Sequence, residues 1–74
     1  MSDVIDSRTL TVNGVAEPLA AATVAALLAG RDIAPDGRGV AVSLNGAVVR
    51  RADWATTALN PGDTVEIVRA MQGG

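Results

Sequence analysis

Two asparagine-glycine dipeptides, Asn13-Gly14 and Asn45-Gly46, divide this chain. Each stands between stretches in which apolar and polar residues alternate. A two-residue hairpin of type I′ needs φ > 0 at both central positions, and Asn-Gly is the pair that adopts this at least cost. Each dipeptide therefore predicts a β-hairpin. Before the first, Arg8-Thr-Leu-Thr-Val12 places Leu10 and Val12 on one face of a half-buried strand. After it, Val15 to Leu19 is the return strand, and Pro18 marks it as an edge strand. Pro18 also suits the first position of a helix, which would give a longer helix and no second strand. The Asn13-Gly14 turn favours the hairpin. Around the second dipeptide, Val40-Ala-Val-Ser-Leu44 turns Val40, Val42 and Leu44 to the core, and Val48-Val49 is a short return strand.

The rest of the chain supplies one helix and one more strand. Ala20 to Gly30 is expected to be helical, with Thr23 able to cap it and Gly30 suited to its end. Val24, Leu27 and Leu28 fall at i, i+3 and i+4 and form one apolar stripe. Residues 33 to 39 contain Pro35, Gly37 and Gly39 and form a loop. Arg50 to Leu59 has no clean period and holds Trp54, while Asn60-Pro-Gly-Asp63 is a turn. In the final strand, Thr64 to Ala70, Val65 and Ile67 point to one face and Glu66 and Val68 to the other. It is the most apolar strand on both faces and belongs in the middle of a sheet. The order β-β-α-β-β-loop-β gives an α+β fold: a mixed sheet of about five strands curling over one helix. The expected core is Leu10, Val12, Val24, Leu27, Leu28, Val40, Val42, Leu44, Leu59, Val65 and Ile67. Residues 1–74 form a single domain, with a loose leader at 1–7 and a flexible tail at 71–74.

Composition limits what such a domain can do. A chain of 74 residues buries only about 60% of its unfolded surface. Hydrophobic residues make up 49%, yet Trp54 is the one aromatic, so Val, Leu, Ile and Ala must build the core. Without cysteine there is no disulfide, thiolate or Cys-based metal site. Without histidine the commonest general base and metal ligand are missing as well. Asp32, Asp36, Asp53 and Asp63 read as loop and turn residues, and no carboxylates are paired for acid–base work. The net charge of −2 and the lack of a basic cluster give no footprint for nucleic acid. No apolar run is long enough for a membrane span, and nothing resembles a signal peptide, so a cytoplasmic location is expected. All six basic residues are Arg; no lysine offers an amine to an isopeptide bond.

The sequence closes on Gly73-Gly74, directly after a strand. Two residues without Cβ at the end of a strand present an unhindered carboxylate. Together with the strand order, this resembles ubiquitin and its bacterial sulfur-carrier relatives, the β-grasp proteins. Within that set the chain is similar to the thiamin-pathway sulfur carriers, the ThiS family. The resemblance rests on Val12-Asn13-Gly14, Thr23-Val24 with Leu27-Leu28, Val40-Ala-Val-Ser-Leu-Asn-Gly46, Val48-Val49, Arg51 with Trp54, Leu59 with Gly62-Asp63, and Val65-Glu-Ile-Val68 with Gln72-Gly-Gly74. It spans about Thr9 to Gly74. Arg50 stands where the family pattern often has proline, and residues 1–7 extend beyond the usual start.

The resemblance implies a chemistry. An E1-like adenylyltransferase (ThiF-like) uses ATP to convert the carboxylate of Gly74 to an acyl-adenylate. A sulfur donor such as a cysteine desulfurase then leads to a thiocarboxylate, which thiazole synthase (ThiG-like) uses. Gly73, Gln72 and Met71 would enter the partners' active sites, reaching with Gly74 roughly 13–14 Å beyond the strand. The chain would be a carrier and co-substrate, not an enzyme, and would bind no cofactor or metal of its own. In such a fold the open sheet face is where partners dock, which points to Val68 and Glu66. Arg69, where strand becomes tail, is a further candidate for an acidic partner. Trp54 is expected to be a partly buried plug whose indole N–H needs an acceptor; Arg50 and Arg51 are expected to be solvated. The residues leave three other readings open: a carrier serving molybdopterin or cysteine synthesis, a ubiquitin-like modifier, and a β-grasp interaction module that carries nothing.

Overall fold

Both Asn-Gly turns form. Asn13 and Asn45 each adopt φ 52°, followed by Gly14 at 84° and Gly46 at 87°. No atom lies within 4 Å of where a Cβ would stand on either glycine, so the dihedral angle rather than space selects the residue. The computed structural model describes residues 8–33 and 38–69. In chain order these form β1 (Thr9–Val12), β2 (Val15–Pro18), α1 (Val24–Ala29), β3 (Val40–Leu44), β4 (Ala47–Val49), a 3₁₀ turn (Arg51–Asp53) and β5 (Thr64–Arg69). The sheet order is β2-β1-β5-β3-β4. The two hairpins are antiparallel, β5 runs parallel to β1 and antiparallel to β3, and the sheet is therefore mixed. The apolar last strand takes the centre, and β2, with Pro18, takes an edge. This is the β-grasp arrangement.

The helix is shorter than its apolar period suggests. Residues 20–23 are not helical; the segment before Asn60 ties down the last two of them, as Thr23, extended, forms an isolated bridge with Ala58, and Leu59 N–H donates to Ala22 C=O at 3.0 Å. The first three N–H groups of a helix lack intrahelical acceptors. Here Val24 N–H donates to Thr57 C=O, Ala25 N–H to Trp54 C=O and Ala26 N–H to the Thr23 hydroxyl. Thr23 is thus the N-cap, as its hydroxyl suggests. Gly30 ends the helix in a right-handed conformation, φ −71°; the left-handed residue is Asp32, φ 62°.

Leu10 and Val12 of β1, Val42 of β3 and Val65 of β5 pack on Val24, Leu27 and Leu28 of α1. Ile33, Trp54 and Leu59 close the sides of this core. Val40, Leu44 and Ile67, expected in the core, are only half-buried. A six-residue helix is about 9 Å long and covers the middle of the sheet, not the strand ends. Ile33, read from sequence as a loop residue, is 8% exposed. Trp54 is 5% exposed, more deeply buried than expected. Its indole N–H donates to the Val49 carbonyl at 3.0 Å, which joins the last residue of β4 to the segment that caps the helix.

Leu10→Ala removes a side chain that is 1% exposed at the centre of this core. The loss is about 2–5 kcal/mol, read as a lower denaturant midpoint at unchanged slope. Trp54→Phe keeps most of the apolar volume but leaves the Val49 carbonyl without its indole donor, and costs about 1–3 kcal/mol in the same assay.

Candidate functional site

The strand that carries the terminal residues is tied into the sheet along both edges. On the β3 side, pairing runs from Leu44↔Val65 to Val40↔Arg69, the whole length of β5 after Thr64. On the β1 side it covers only Thr11↔Thr64 and Val12↔Val65, because β1 turns away at Asn13. There the Asn13 side chain replaces the missing strand. Asn13 N–H donates to Val65 C=O at 2.9 Å; its Oδ1 accepts from Ile67 N–H at 2.8 Å and its Nδ2 donates to Ile67 C=O at 3.2 Å. Only one orientation of the carboxamide satisfies both groups of Ile67.

Asn45 does the same at the start of β5. Its N–H donates to Thr64 C=O at 2.7 Å, its Oδ1 accepts from Thr64 N–H at 2.9 Å, and its Nδ2 donates to the Asp63 carboxylate at 3.1 Å. The other oxygen of Asp63 accepts from Asn60 N–H at 2.8 Å and closes the turn into β5, with Gly62 at φ 86°. The turn residues of both hairpins thus bracket the central strand. From sequence both asparagines read as turn formers, and nothing in the spacing of either dipeptide names β5 as the partner of its side chain.

The strand pairing sorts the candidate docking residues. Glu66 pairs with Ser43 and Val68 with Ala41, on the face away from α1. Val48, opposite Ser43, lies on the same face. Val68 is 61% exposed and Val48 78%, so the open face carries two bare valines at its middle and its β4 edge. Arg69 does not join them. It shares the helix-side face with Val65 and Ile67, and its guanidinium donates to Arg31 C=O at 3.3 Å, beyond the end of α1. Of the three candidates, Val68 and Glu66 thus lie on the open face and Arg69 on the other. Arg31 also forms an ion pair with Glu17, which fastens the edge strand β2 to the turn after the helix.

Arg50 and Arg51 are exposed, as expected. Among the described residues no three acidic, cysteine or histidine side chains come together as metal ligands. No helix among them is long and apolar enough to cross a membrane. Met71, Gln72, Gly73 and Gly74 lie outside the described residues, as do residues 1–7 and Asp36.

Comparison with known proteins agrees with this geometry. The sequence model of the ThiS family matches residues 7–74. Among solved structures, the thiamine biosynthesis protein (ThiS) from Geobacter metallireducens is similar at 36% sequence identity and a TM-score of 0.72. The match covers 89% of this chain and 99% of that one. No curated protein is similar enough to count as a match. A mixed five-stranded β-grasp sheet on one helix, with a family match that runs through the terminal glycines, identifies the chain as a member of the ThiS family, the sulfur carriers of thiamin biosynthesis.

Proposed function

We propose that the chain carries sulfur on the carboxyl group of Gly74 and that its partners supply all the catalysis. The observation that supports this is the family match through residue 74, coupled with a central strand that ends at Arg69 just before Gln72-Gly73-Gly74. An α-carboxyl with a pKa of about 3.5 is ionised at neutral pH and can attack the α-phosphate of ATP, with pyrophosphate leaving. The carboxylate itself is a poor acyl donor. Once adenylated, its acyl carbon accepts a sulfur nucleophile and AMP leaves with one of the original oxygens. With sulfide the product is the thiocarboxylate directly; with a donor's persulfide it is an acyl disulfide, whose S–S bond a thiol reduces to release the thiocarboxylate and leave the donor and the thiol joined as a disulfide.

With neither cysteine nor histidine, this chain has no group to hold a persulfide and no imidazole to move a proton. An E1-like adenylyltransferase provides the ATP site, a donor such as a cysteine desulfurase provides the sulfur, and thiazole synthase is the acceptor. No cofactor is bound by the carrier itself. Glycine at 73 and 74 lets the backbone pass a narrow channel and leaves the carbonyl open on both sides. The open face, with Val68, Val48 and Glu66, is the docking surface for these enzymes. Bare apolar side chains on a flat sheet face suit burial against a partner better than solvent.

Two outcomes test this reading. Incubated with its adenylating partner, ATP and a sulfur source, the protein gains one sulfur in place of one oxygen, at Gly74 only, by intact-mass spectrometry. Deleting Gly74 leaves an equivalent carboxylate on Gly73 but shortens the reach by about 3.5 Å. A misplacement of about 1 Å already costs about a hundredfold in rate, so the truncated chain stays folded and unmodified. Equal sulfur uptake by both forms overturns the carrier assignment to Gly74. Separately, Val68→Asp leaves the far-ultraviolet circular dichroism unchanged and raises KM for the carrier in the adenylation assay by about tenfold or more. An unchanged KM removes the open face from the docking surface.

A further inference from the structure

The end of β5 has a one-sided support. From Ile67 to Arg69 the strand pairs with β3, but β1 has already turned away. What stands on the β1 side is the Asn13 carboxamide, bonded to both the N–H and the C=O of Ile67. Two residues later the Arg69 side chain crosses to Arg31 C=O. Asn13 is separated from Ile67 by 54 positions in sequence, and its side chain is exposed, so these bonds bury nothing. Their effect is local to the last turn of pleat before the terminal residues.

We propose that Asn13 is a positioning residue for the carrier chemistry, fixing through Ile67 the point and direction in which β5 leaves the sheet. The proposal rests on the carrier reading above. The reacting carboxyl lies five residues beyond Arg69, the difference between positions 74 and 69. Held extended inside a partner's channel, a stretch of that length spans about 17 Å, so a shift at its base displaces the far end by ångströms. Docking on the open face fixes the domain, and the clamp at Ile67 then fixes where the terminal residues start. Without it, Ile67 to Arg69 retain only the β3 edge. Docking survives, and productive alignment of the carboxylate becomes less frequent.

Asn13→Gly isolates the carboxamide, because glycine accepts φ 52° and the hairpin keeps its turn. Asn45→Gly is the matched control: it removes the same group from the other hairpin, where it holds Asp63 and Thr64 at the start of β5. Both variants lose stability by similar amounts. Adenylation and thiocarboxylate formation are measured by mass spectrometry at steady state over a range of carrier concentrations, at a temperature where both are folded by circular dichroism. Asn13→Gly lowers kcat by about tenfold with little change in KM, and Asn45→Gly lowers neither. Asn13→Asp keeps the acceptor for Ile67 N–H but sets a carboxylate oxygen against Ile67 C=O, and falls between wild type and Asn13→Gly. Amide exchange at Ile67 speeds up in Asn13→Gly and not in Asn45→Gly.

Equal kcat values for the two glycine variants overturn the positioning role, as does unchanged exchange at Ile67. Wild-type protein that is folded and yet takes up neither AMP nor sulfur overturns the carrier reading itself, and the positioning role with it.

Discussion

A central strand must satisfy its backbone hydrogen-bonding groups along two edges, and everything else in this fold is arranged around that requirement for β5. Two hairpins flank it, one parallel and one antiparallel. A hairpin has to turn, and where it turns it stops pairing with the strand beside it. Asn13 and Asn45 solve this in the same way. Each keeps its own N–H on a β5 carbonyl and lends a side-chain oxygen to a β5 N–H. The left-handed dihedral that makes the turn also brings the carboxamide beside the central strand. One residue type therefore serves local turn geometry and long-range strand pairing at once.

The helix depends on a second set of long-range bonds. Six residues are too few for a helix to be stable by itself in water. Its three orphan N–H groups are met by Thr57, Trp54 and Thr23, and its apolar stripe by Leu10, Val12, Val42 and Val65. The irregular segment from Arg50 to Leu59 is thus structural. It carries the single aromatic side chain into the core and delivers two carbonyls to the helix N-terminus. In a core without Phe or Tyr, Trp54 is the one aromatic side chain, buried with Ile33 and Leu59 beside the helix.

Among the described residues, the side chains of Asn13, Asn45 and Asp63 hold β5 and the turn into it in place. The apolar core lies on one side of the sheet, and the other side leaves Val48 and Val68 bare. For the carrier role proposed above, this arrangement offers a partner one fixed face on which to dock.

The strands, their faces and the central place of β5 were legible in the sequence. They follow from period-two alternation and from turn chemistry at Asn13-Gly14, Asn45-Gly46 and Asn60 to Asp63, which are local properties. The likeness to the ThiS family was legible too, and the family match spans residues 7–74. The helix start was not. Ala20 to Thr23 suit a helix locally, and pairing of Ala22 and Thr23 with Ala58 and Leu59, more than thirty positions away, keeps the helix from starting before Val24. For the same reason Ile33 entered the core unannounced, and Trp54, read as a partly buried plug, is buried more deeply than that: neither sits in a periodic segment, and each is buried by where its neighbours bring it. The contact of Arg69 with Arg31 and the second role of Asn13 and Asn45 belong to the tertiary structure alone. They depend on register between strands far apart in sequence, and register is set by the packing of the whole sheet on its helix.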